Sequence, residues 1–76
     1  MSDHAVALFH TTSAAIRSEK LLRQQGFTAA LIPTPRQFSS DCGVALRFSA
    51  DSMDAVRTLL ESAQIVFSSI HALDGS

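Results

Sequence analysis

The sequence predicts an α+β sandwich in which two helices cover one face of a four-stranded sheet. Three observations lead there. Short apolar runs at residues 5–9, 27–32, 44–48 and 65–71 have the length and composition of strands. Two longer segments, near residues 13–25 and 52–63, carry apolar residues at helical spacing. Their order is β-α-β-β-α-β, that of two interleaved β-α-β units.

Each element has its own justification. Ala5-Val6-Ala7-Leu8-Phe9 is wholly apolar, which suits a central strand. His10-Thr11-Thr12-Ser13 ends it, and Thr12 or Ser13 is placed to cap a helix by accepting from its first backbone N–H groups. Ala15, Ser18, Leu21 or Leu22 and Gln25 then recur on one helical face. Gly26 stands where a left-handed residue ends a helix. The second strand is stopped by Pro33, which lacks a backbone donor. A polar connection follows, with room for one helical turn from Arg36 to Ser40. Asp41-Cys42-Gly43 returns the chain to a strand, and Gly43 permits a tight bend beside the thiol. In the third strand Val44, Leu46 and Phe48 alternate with Ala45 and Arg47. Asp51 and Asp54 resemble a capping arrangement at the second helix, whose stripe is Met53, Val56, Leu59, Leu60 and Ala63. Residues 1–3 and 72–76 are expected to fray, leaving an ordered core of about residues 4–71 in a single domain, 1–76.

Right-handed crossovers leave room for one strand between each parallel pair, so the expected sheet order is 4-1-3-2, a ferredoxin-like split βαβ sandwich. The predicted core is Val6, Leu8, Leu22, Leu31, Val44, Leu46, Phe48, Val56, Leu59, Leu60 and Val66. The open face should expose Ala7, Phe9, Ile32 and Ala45, with Arg47 at one margin. A patch of that kind is expected to seat a second copy, as a homodimer, or a partner.

Composition narrows the function. Seventy-six residues are near the lower limit for folding without a staple, and the 46% apolar content suffices for one core. Six Lys or Arg face seven Asp or Glu with no basic run, and the third strand offers only Phe48 for base stacking. Both points exclude the footprint of a nucleic-acid binder. The one cysteine has no partner for an internal disulfide, which fits a reducing compartment. No apolar stretch approaches the ~20 residues that span a bilayer, and no leader-like start is visible, so a soluble cytoplasmic protein is expected. His4, His10 and His71 are scattered, with His71 expected at the opposite end of the sheet from His10. No ligand set has zinc spacing, so neither metal nor cofactor is expected.

The candidate site is Cys42. In the expected topology the third strand starts where the first one finishes, which places Cys42 and Gly43 beside His10, Thr11, Thr12 and the first helix N-terminus. Cys42 shares parity with Val44, Leu46 and Phe48 and should point toward that helix start. Partial positive charge and N–H donors there favour a thiolate. Arg36 and a protonated His10 would add to this. Asp41 opposes it from the other face, so the net expectation is a lowered thiol pKa. Arg36 is also placed to pair with Asp41. Ser39 and Ser40 suit a turn, where their hydroxyls bond the backbone, and they are candidates for holding an anion. Against all this, free cysteine often serves as a small buried hydrophobe.

The segment IPTPRQFSSDCGVALRF resembles the signature of small bacterial and archaeal selenium/sulfur-carrier-like proteins. Members carry an IPxPR-like start, a Ser-Ser-x-Cys-Gly core and an apolar strand with a basic residue. The likeness continues through Phe9-His10-Thr11-Thr12, Ala15, Glu19-Lys20-Leu21-Leu22 and Gly26, over roughly residues 5–70. The resemblance implies a carrier that holds sulfane sulfur or selenium on Cys42 as a persulfide or selenide. Its partners would be donor and acceptor proteins. The competing reading is a non-catalytic interaction module or small-molecule-sensing regulator of the same fold. A stand-alone thiol enzyme is disfavoured because no general base of fixed position accompanies the cysteine.

Overall fold

The computed structural model of the chain describes residues 4–38 and 43–73. Elements follow in the expected order: β1 (His4–Leu8), α1 (Thr12–Gln24), β2 (Ala29–Pro33), β3 (Val44–Ser49), α2 (Met53–Ser62) and β4 (Ser69–Leu73). Neighbouring strands are antiparallel in the order β2-β3-β1-β4, the ferredoxin-like 4-1-3-2 arrangement viewed from the other edge. β1 and β3 take the two central places.

Register fixes the faces. Ala5 stands opposite Phe48 and Ala7 opposite Leu46, so the odd residues of β1 share the helix-covered face with the even residues of β3. Ala5, Ala7, Phe9, Leu46 and Phe48 pack there with Ala15 and Leu22 of α1 and Val56 and Leu60 of α2. Alanines on the strand let the helices approach closely, and the large side chains fill the space beside them. Each fully buried Phe or Leu contributes roughly 1.5–3 kcal/mol. Ser18 is also buried in α1, where its Oγ donates to the Ala14 carbonyl at 2.8 Å.

This overturns the expected division of β1. Ala7 and Phe9, expected on the open face, are both fully buried under the helices. A run that is apolar at every position has no alternation from which to read its phase; pairing with β3 decides it. Val6 and Leu8 are buried as expected, but on the second face, with Ala45 and the half-buried Ile32, Phe38 and Leu73 around them. Ala45 is buried too, so the exposed patch expected to seat a second copy is not there. Phe38, from the connection after β2, covers part of this face.

Both helices end in the same hydrogen-bonded motif. After α1, Phe27 N donates to Leu22 O at 2.9 Å and Gly26 N to Arg23 O at 3.1 Å. After α2, Ile65 N donates to Leu60 O at 2.9 Å and Gln64 N to Glu61 O at 3.1 Å. These are Schellman closures, and Leu22, Leu60 and Ile65 belong to one core against which Phe27 packs. Gly26 takes the left-handed backbone (φ 88°) without strain, whereas Gln64 takes it (φ 59°) with a side chain. The second closure explains a misplaced core residue. It turns Ile65 inward, which leaves Val66 69% exposed, and β4 begins only at Ser69 rather than at residue 65. Likewise β2 starts at Ala29, two residues late, because Phe27 belongs to the helix closure. Arg23 Nε then ties the end of α1 to the Ala29 carbonyl at 3.3 Å.

The start of α2 also differs from expectation. Asp51 falls inside a 3-10 turn, Ala50–Ser52, and neither Ser49 nor Ser52 makes a side-chain cap. Tighter backbone bonds, rather than a carboxylate, begin to satisfy this helix end.

Gln64→Gly removes the side-chain penalty of the left-handed region and should stabilise the protein by about 1 kcal/mol. The midpoint of urea denaturation, followed by circular dichroism, checks it; an unchanged or lowered midpoint would contradict the account of this turn.

Candidate functional site

The site is built where β1 hands over to α1 and the chain enters β3. Thr11 is the N-cap: its backbone is extended and its Oγ1 accepts from Ala14 N at 3.1 Å. The cap was expected at Thr12 or Ser13. Phe9, held in the core, leaves only His10 before the chain must turn, so the helix begins at Thr12, one residue early.

Register brings the entry of β3 to the same place. Leu8 pairs with Ala45 and Pro33 with Val44. One step further, Thr34 N donates to the Gly43 carbonyl at 3.1 Å. Continuing the β1–β3 register sets Gly43 in line with His10, and Thr11 and Thr12 follow immediately at the helix start. β1 and β3 thus run out at the same end of the sheet, where α1 begins. Gly43 has φ 73°, the left-handed bend expected of it, and a Cβ there would meet open space. Glycine is thus demanded by backbone conformation, not by crowding. The regular alternation of β3 begins after this residue.

Cys42, Ser39 and Ser40 lie outside the described residues, as does Asp41. Arg36 is described and exposed. It sits in a turn closed by Phe38 N donating to the Pro35 carbonyl at 3.0 Å. That turn stands where a short helical turn was expected. It leads into Phe38, which packs against the face opposite the helices.

Two residues of this region were missed in the sequence. Phe38 stacks on the His71 ring, with centroids 4.4 Å apart and planes 19° from parallel. His71 shares a hydrogen bond with Ser69 Oγ through Nε2 at 2.8 Å. It stands opposite Val6 in mid-sheet, not at the far end as expected. Since β2 and β4 are opposite edges, the connection reaches over three strand spacings, about 14 Å. A lone aromatic within a polar connection was the available signal. Thr34 is the second: its hydroxyl is buried without a hydrogen-bond partner among the described residues, beside the strand pair that ends at Gly43.

Residues 4–72 match the model of the family described as "Putative Se/S carrier protein-like". The chain belongs to that family. No curated protein and no solved structure matches it. The family match spans every element from β1 into β4. Among the described residues, no helix is long and apolar enough to cross a membrane.

Thr11→Ala removes the cap and should cost about 1 kcal/mol, and Gly43→Ala should cost about 1–2 kcal/mol for its left-handed backbone. Chemical denaturation of both variants checks this; a neutral Gly43→Ala would remove the conformational reason for glycine at this bend.

Proposed function

We propose that the protein carries sulfane sulfur or selenium on Cys42 and passes it between a donor and an acceptor protein in the cytoplasm. The observation that supports this reading most directly is the register that sets Gly43, the residue after Cys42, in line with His10 and the capped start of α1. A helix N-terminus favours an anionic sulfur through its N–H groups and partial positive charge. The family match points to the same chemistry.

In the sulfur case the Cys42 thiolate attacks the outer sulfur of a donor persulfide. A new S–S bond forms on Cys42 as the donor S–S bond breaks, and its electron pair leaves with the donor thiolate. Oxidation level is conserved, so no external oxidant or reductant is needed. Delivery repeats the exchange, with an acceptor thiolate attacking the outer sulfur on Cys42. Thr34 and Gly43 would border the transferred atom, the first through its buried hydroxyl, which has no partner among the described residues. Ser39, Ser40 and Arg36 would serve the anionic cargo or the docking of partners.

Intact-mass measurement after incubation with a persulfide donor should show the gain of one sulfur atom, reversed by dithiothreitol and absent in Cys42→Ser. Alkylation of Cys42 across a pH series should show a thiol titrating below the free value of about 8.5. A thiol that gains no sulfur and reacts only after unfolding would overturn the carrier reading and favour an interaction module.

A further inference from the structure

At the other end of β3 a cleft of about 210 Å³ opens among His4, Thr28, Ala30, Arg47 and Ser49, with Ala29 and Phe48 in its wall. From Gly43 to Ser49 the strand runs six residues, about 20 Å, so this cleft is separate from the cysteine site. Its side chains share the face opposite the helices. His4 pairs with Ser49, and Thr28 is one step beyond the Ala29–Phe48 pair, giving a polar row of His4, Ser49 and Thr28. The next row is Val6, Arg47 and Ala30.

Arg47 is the telling residue. It is exposed, both its cross-strand neighbours are apolar, and no carboxylate among the described residues lines the cleft. An arginine held between Val6 and Ala30 has its stem on apolar surface and its planar fork of donors turned to whatever enters. Two hydroxyls and an imidazole nitrogen add polar contacts, and the alanines supply an apolar wall. The volume is below the ~300–1,000 Å³ of drug-sized sites, which restricts the occupant to a small molecule. One guaranteed positive charge suits a monoanion, and a planar guanidinium suits a carboxylate.

We propose that this cleft binds a small monocarboxylate with a short apolar tail, the carboxylate on Arg47 and the hydroxyls, the tail against Ala30. The site does not use Cys42 and stands or falls independently of the carrier reading.

The test is an amide chemical-shift titration of the full chain with sodium butyrate, acetate and phosphate, ionic strength held constant with sodium chloride. Butyrate should give saturable shifts at Thr28, Ala30, Arg47 and Ser49 and bind more tightly than acetate. Arg47→Gln should raise the butyrate Kd about tenfold or more, while Arg36→Gln and Cys42→Ser leave it unchanged. Should Arg47→Gln lose its dispersed spectrum, Thr28→Val tests the same cleft and should also weaken binding. Shifts that rise without saturation, that survive Arg47→Gln, or that respond more tightly to phosphate than to butyrate would each overturn the proposal.

Discussion

The pairing of β1 with β3 is the constraint from which the rest of the molecule follows. Setting Ala7 against Leu46 and Leu8 against Ala45 decides which side chains of each strand meet the helices. It also decides which side chains are left for Phe38 to cover. A slip of one residue would exchange the faces and turn Phe9 out of the core. The same register runs from Leu8 against Ala45, beside the start of α1, to His4 against Ser49 at the other end. Two chemically different places on the surface are thus consequences of one ladder.

The helices are held more by what they cover than by their own ends. α1 has a threonine cap and a glycine closure; α2 has neither a side-chain cap nor a glycine. α2 nevertheless keeps its place because Val56 and Leu60 are fully buried. Burial of that kind outweighs a missing cap worth about 1 kcal/mol. The shorter helix depends on tertiary packing, and the longer one has local signals as well.

The sequence carried the order of elements and the sheet order, because these rest on periodicity and on the handedness of crossovers. It did not carry the phase of β1, since Ala5 to Phe9 present no polar residue to mark a side. Nor did it carry the exchange of Val66 for Ile65, which depends on how the chain turns after α2. Phe38 on His71 and the cleft at Arg47 join residues far apart in the chain, and only the folded register shows such neighbours. Of the candidate site, the bend at Gly43 was legible, because a glycine before a strand marks a left-handed turn, and its φ is 73°. Arg36 lies in an exposed turn closed between Phe38 and Pro35, a local geometry that periodicity does not specify.

Pro33 closes β2 opposite Val44, and β2 is an edge of the sheet. Proline offers no N–H at that position, so a chain trying to extend the sheet along β2 meets a gap in the ladder. The rule that confines proline to sheet edges has here a protective result: it makes this rim a poor template for aggregation. The opposite rim, Ser69–Leu73, has no proline. Strand addition, where it occurs, is therefore biased toward β4, on the far side of the sheet from the strand that leads into the Cys42 connection.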